Sequence, residues 1–198
     1  MGIDATDNGK PMCCAPGVLT ECTVSGTKEQ KTSDIEANLP QAKKTELGLY
    51  VTAQEAYAKW LAAPEQVKIL DVRTAEEYLF VGSPTMAWRV PVAVQSYAWD
   101  TDKEQFPLQL CSDFTVRVRT IAEPGDALFV ICRSGGRSAI ACNLLAKDGF
   151  KNVYNIIDGM EGDANADSEK PPQGGWKNSG CPWTKTVTPE RMVLPETP

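Results

Sequence analysis

One stretch leaves the chain few ways to fold: the apolar run Ala127 to Ile131, the loop Cys132-Arg-Ser-Gly-Gly-Arg-Ser138, and the helix-like stretch Ala139 to Lys147. Short β-prone runs of this kind read as buried strands. Gly135 and Gly136 allow the chain to turn sharply, and Ile140, Leu144 and Leu145 then fall on one helical face. Asp148-Gly149 closes the helix, and a further apolar run, Val153 to Ile157, follows. Strand, loop, helix and strand in that order make a parallel pair with a helical crossover.

The upstream sequence repeats the alternation. Thr52-Ala-Gln-Glu55 is a capping-box pattern, and Ala56, Tyr57, Trp60 and Leu61 recur at helical spacing, so a helix is predicted over 53–62, stopped by Pro64. Val67 to Asp71 reads as a strand, and Thr74-Ala-Glu-Glu77 opens a second capped helix. Arg89 to Val92 is predicted as a short strand. From Phe114 the residues alternate like a strand, yet Phe114, Val118 and Ile121 share a helical face; the strand-helix-strand frame selects helix. The aromatics Tyr97, Trp99 and Phe106 either line a pocket or pack a loop.

Apolar strands separated by helices predict an α/β fold with a central parallel sheet flanked by helices on both faces. One domain over 47–184 accommodates it, with a polar insertion at 164–175, after which Trp176 and Trp183 return the chain to the core. Residues 1–46 read as a poorly ordered extension, and 185–198 as an extended tail. Ligands of such folds sit outside the carboxyl ends of the strands, where Asp71, Cys132 and Asp158 all lie. Both acids read as structural support, with Asp71 the better placed to pair with a loop arginine.

The loop carries the chemistry. A helix start leaves backbone N–H groups unpaired and is partially positive, so a cysteine held there is placed to act as a nucleophile. Glycine-rich backbone can turn successive N–H groups inward as an anion cradle, and Arg133 and Arg137 add two permanent charges. The chain has no histidine, which excludes Cys–His nucleophile pairs and His-dependent triads. Of its seven cysteines, Cys13, Cys14 and Cys22 lack C-x-x-C spacing, and no metal site is expected. Cys142 reads as a packed helix residue rather than a resolving thiol.

A formal charge of −6 argues against nucleic acid as partner. No apolar run approaches the ~20 residues that span a bilayer, so no membrane association is expected. The N-terminal residues lack a signal-peptide pattern, which reads as cytoplasmic, although an exported or periplasmic protein whose leader had been removed would look the same.

Val67-Lys-Ile-Leu-Asp-Val-Arg73, then Glu77-Tyr78, Phe129-Val-Ile-Cys-Arg-Ser-Gly-Gly-Arg-Ser138, Val153-Tyr-Asn-Ile-Ile-Asp-Gly-Met160 and Gly175-Trp-Lys177 resemble a single-domain rhodanese. The resemblance covers roughly residues 48–184 and implies a small rhodanese-like α/β domain with sulfurtransferase chemistry. It implies that Cys132 forms a persulfide and that Arg137 is the loop arginine. Arg133, Ser134, Gly135, Gly136 and Ser138 would contact substrate, while Asp71 and Arg73 form the Asp-x-Arg motif supporting the loop. No cofactor is implied beyond the covalent persulfide. The expected partners are a small sulfur anion such as thiosulfate as donor, and cyanide, a thiol or a thiol-bearing protein as acceptor. A non-catalytic persulfide carrier or sensor is the alternative reading. Two departures stand out: Val81-Gly-Ser-Pro-Thr-Met-Ala87 replaces a Gly-His-Ile-Pro-Gly-Ala segment, and the 164–175 insertion exceeds the minimal domain. Phe80-Val-Gly82 and Glu161-Gly-Asp163 give a layout similar to exported bacterial rhodanese-like proteins. Cysteine phosphatases resemble the loop but place five residues between Cys and Arg. Here four intervene, a tighter loop that suits one sulfur atom better than a phosphate.

Overall fold

The computed structural model describes residues 35–163 and 174–195. Cys13, Cys14, Cys22 and most of the expected insertion lie outside them. Both capping boxes form: Thr52 Oγ1 accepts the Glu55 N–H while the Glu55 carboxylate accepts the Thr52 N–H. This starts α1, Ala53–Ala62, and the same exchange between Thr74 and Glu77 starts α2, Ala75–Phe80. The helix expected at Phe114 is present as the short α3, Phe114–Val118. The last helix, α4, spans Gly136–Lys147 and therefore begins inside the cysteine loop rather than after it.

Five parallel strands form the central sheet: β1 Tyr50–Val51, β2 Val67–Asp71, β4 Trp88–Arg89, β7 Ala127–Ile131 and β8 Asn152–Ile156. Their order is β1-β8-β7-β2-β4. β7 is central, with Asp71 of β2 opposite Ile131 and Asn155 of β8 opposite Val130. Two antiparallel pairs flank the sheet: β3 Ser83–Pro84 with β9 Trp183–Thr184, and β5 Ala93–Gln95 with β6 Leu108–Leu110.

The alternation of a pleated strand sorts the core into two faces. Leu128, Val130 and Cys132 face Phe114, Val118, Cys142 and Leu145 from α3 and α4. Phe129 and Ile131 face Ala53 and Ala56 of α1 together with Met160 and Trp176. Helices thus cover both faces, as the sequence predicts, and the same alternation turns the Cys132 side chain toward α4.

The ends of the domain differ from the composition reading. Residues 41–46, read as part of the extension, pack on the domain: Gln41–Lys43 form a 3₁₀ turn, and Lys43 and Thr45 are buried. The Lys43 ammonium donates to Ile157 O at 2.9 Å and to Asp163 at 2.6 Å. A lysine and a threonine carry no apolar signal, so nothing local in the sequence marks this segment as buried. The described part of the tail carries a 3₁₀ turn, Pro189–Arg191, and is pinned to the domain. Val193 N–H donates to Arg89 O at 2.9 Å, and the Arg117 guanidinium donates to Val193 O at 2.9 Å.

Candidate active site

Cys132 follows the last residue of β7 and is buried. Gly135 N–H donates to its Sγ at 3.1 Å, and Ser138 Oγ lies 3.3 Å from the same atom. Gly135 has φ +100°, and a Cβ there would meet Ile157 O at 2.5 Å, so only glycine brings this N–H to the sulfur. The loop is braced from the turn after β8: Met160 N–H donates to Cys132 O at 2.8 Å, and Glu161 N–H to Arg133 O at 3.0 Å. Gly159 makes this approach possible, since a Cβ there would lie 2.5 Å from Arg133 O. Ser134 and Gly136 are partly exposed along the loop, whereas Gly135 and Ser138 are buried.

The two loop arginines part company. Arg137 turns to α2 and makes a bidentate pair with Glu77, at 2.6 and 2.7 Å. Arg133 points outward, 63% exposed, with Glu161 3.6 Å from its Nε. Burial pushes the Glu77 carboxyl up, but the hydrogen bonds and charge of Arg137, with the Thr74 N–H, outweigh it and hold Glu77 below the usual carboxylate range. Arg137 is correspondingly raised: burial opposes its charge and Glu77 more than offsets this.

Asp71 therefore takes neither loop arginine, contrary to the expectation from the sequence. Its carboxylate accepts from Arg73 Nε at 2.9 Å and Nη2 at 2.7 Å, and from Ser83 Oγ at 2.9 Å. Both side chains of this pair are fully buried. Proximity along the chain decides the matter: Asp71 and Arg73 leave β2 together, while Glu77 stands one helical turn further on and reaches the loop. Asp71 and Arg73 thus bond to α2 and the segment that follows it, through Tyr78, Gly82 and Ser83. Tyr78 places its hydroxyl between Asp71 O, 2.8 Å away, and Arg73 O, 2.6 Å away, and so fixes the helix that carries Glu77. Asp158 is structural as expected, accepting the Ala53 N–H at the start of α1 and the Gly175 N–H, both at 2.8 Å.

Sequence reasoning missed Glu77 as a site residue, because its capping-box role was a sufficient local explanation. It also missed Asn155, a fully buried amide in β8 that accepts from Ser138 Oγ at 2.6 Å. An Asn inside the apolar run Val153 to Ile157 was the available signal. Cys142 is buried in α4, and burial pushes its thiol well up, which fits a packed residue and not a resolving thiol. Tyr97, Trp99 and Phe106 are each at least half exposed, and Trp99 meets Phe106 edge to face at 5.0 Å. Trp176 enters the core, while Trp183 stays partly exposed under the Lys177 ammonium, 4.1 Å from its ring centre. Among the described residues, no group of three or more His, Cys, Asp or Glu is placed to hold a metal ion. No helix among them is long and apolar enough to cross a membrane.

The family model of the STR4 middle domain matches residues 49–191. The Arabidopsis thaliana protein named rhodanese-like domain-containing protein 4, chloroplastic, is 30% identical over 132 residues, which is 67% of this chain and 25% of that protein. The chain belongs to the rhodanese-like family. The uncharacterized protein RC0915 of Rickettsia conorii is 36% identical to this rhodanese-like chain over 123 residues, 62% of this chain and 87% of its own length. Among solved structures, Rv0390 from M. tuberculosis superposes with a TM-score of 0.54 at 25% identity, covering 69% of this chain and 96% of that one. Its fold agrees with the five-stranded parallel sheet and its flanking helices.

Proposed function

We propose that this rhodanese-like protein is a sulfurtransferase that moves a sulfane sulfur from a small anionic donor such as thiosulfate to cyanide or a thiol, through a persulfide on Cys132. The observation that carries the reading is the placement of Cys132 Sγ. It sits at the carboxyl end of the central strand and within a loop that runs into α4, and it accepts the Gly135 N–H at 3.1 Å. In the first step the Cys132 thiolate attacks the outer sulfur of thiosulfate. A Cys132 S–S bond forms, the donor S–S bond breaks, and sulfite leaves with its electron pair. The terminal sulfur then carries the charge among the loop N–H groups, which act as an anion hole. In the second step cyanide or a thiolate bonds to that outer sulfur, and the Cys132 S–S bond breaks with its pair returning to Sγ.

The arginines divide the remaining work. Arg137, tied to Glu77, anchors the start of α4 against α2 and so holds the loop closed around the sulfur. Arg133, out at the rim, attracts the donor through its long-range charge. Intact mass after thiosulfate treatment tests the reading: the wild type gains one sulfur atom, ~32 Da, reversed by cyanide, and Cys132→Ser gains none. Thiocyanate production on repeated turnover separates an enzyme from a persulfide carrier. A Cys132→Ser protein that still gains the sulfur, or still turns over, refutes the proposed intermediate.

A further inference from the structure

Asn155 lies in β8 with no exposure, next to the site and outside every role described above. Its amide orientation is dictated by its neighbours. Nδ2 donates to Lys43 O at 2.9 Å and to Gly135 O at 3.0 Å, two carbonyls that can only accept. Oδ1 is then the atom facing Ser138, and it too can only accept, so at 2.6 Å the Ser138 hydroxyl gives it its single proton. That same Oγ stands 3.3 Å from Cys132 Sγ. One proton thus faces two acceptors, one of fixed charge and one whose charge changes during sulfur transfer.

We propose that Asn155 is a positioning residue for this chemistry: it parks the Ser138 hydroxyl beside Cys132 while Sγ is bonded in the persulfide and releases it to Sγ when Sγ leaves as thiolate. The proposal rests on the persulfide reading above. During discharge the acceptor bonds to the outer sulfur, the S–S bond breaks, and its electron pair arrives on Sγ. Hydrogen bonds to a charged acceptor are roughly twice as strong as neutral ones, so the hydroxyl turns from the amide to the sulfur at that step. During loading the charge leaves Sγ, and the hydroxyl returns to Asn155. The donor therefore favours discharge. Asn155 keeps Ser138 from turning to its own helix carbonyls, and through Gly135 O it also holds the residue whose N–H is the other donor to Sγ.

The test follows single-turnover loading by thiosulfate and discharge by cyanide, each by intact mass, in the wild type, Ser138→Ala, Ser138→Thr, Asn155→Ala and the double variant Ser138→Ala with Asn155→Ala. Ser138→Ala and Asn155→Ala are each expected to slow discharge about tenfold while loading stays within about threefold of wild type. Ser138→Thr is expected to recover discharge, and the double variant to be no slower than the slower single. Asn155→Ser, too short to reach Ser138, replaces Asn155→Ala with the same expectations if the alanine variant does not fold. Equal slowing of loading and discharge in the Asn155 variant marks a merely loosened loop and overturns the proposal, as does a multiplicative loss in the double variant. A wild type that takes up no sulfur instead overturns the persulfide reading itself, and the positioning role falls with it.

Discussion

Glu77→Gln removes the charge that holds Arg137 while keeping the shape and an acceptor oxygen for the Thr74 N–H, so it isolates the ion pair from the helix cap. The pair is bidentate at 2.6 and 2.7 Å, and its side chains are 19% and 21% exposed. Exposed pairs contribute about 0–1 kcal/mol, and breaking a fully buried pair costs about 3–5 kcal/mol. One that is four-fifths buried falls between them, at about 2 kcal/mol of unfolding free energy. Urea unfolding of wild type and variant at pH 7 measures this gap. Acidification then checks its origin. Because the folded Glu77 is held below its ordinary value, its stabilisation is complete above the unfolded carboxylate value of ~4.3. It is lost as pH falls through the lower folded value. The gap should therefore close in acid. A gap below about 0.5 kcal/mol at pH 7, or one that persists as the pH is lowered through the carboxylate range, refutes the reasoning.

Asp71→Ala strands the fully buried Arg73 guanidinium and should cost about 3–5 kcal/mol by denaturant unfolding; a loss near 1 kcal/mol or less would show that solvent reaches the site. Gly135→Ala forces a side chain into a φ of +100° and against Ile157 O, so stability should fall by about 1–3 kcal/mol, with sulfur loading by mass slowed at least about tenfold. Wild-type loading in that variant would remove the Gly135 N–H from the mechanism. Arg133→Ala should raise the thiosulfate KM about two- to threefold at low salt with kcat unchanged, and the difference should vanish at high salt; a fall in kcat would place Arg133 at the reacting sulfur instead. Cys142→Ala should take up one sulfur as the wild type does, by intact mass, because Cys142 is closed off within α4.

The parts of this fold governed by local rules were legible in the sequence. Thr52 with Glu55 and Thr74 with Glu77 announce two helix starts because the capping exchange spans only one turn. The apolar run into Cys132 and the Gly-Gly bend announce the loop, since glycine is needed where φ is positive. Partnerships across the fold were not legible. Arg137 is 60 positions from Glu77, and a carboxylate that already had a local role gave no reason to look further. Lys43 and Asn155 escaped for a related reason: they are polar residues whose burial is made tolerable by distant partners, Ile157 O and Asp163 for the Lys43 ammonium and the Lys43 and Gly135 carbonyls for the Asn155 amide, and polarity in a sequence reads as exposure. The hairpin of β5 and β6 was illegible as well, because Leu108 and Leu110 pair with it while remaining exposed, so no apolar stripe points to a core.

The pinned tail has a consequence for how these molecules share a solution. A strand at the border of a sheet offers unpaired N–H and C=O groups to any other strand that meets it, which is the usual opening for self-association and fibre growth. Here β4 is only two residues long, and its outer side is already occupied, with Met192 bridged in parallel to Arg89 and Val193 donating to Arg89 O. Met192 and Val193 thus act as a stopper on this edge, and their removal would expose backbone groups of Arg89 that a second molecule could extend.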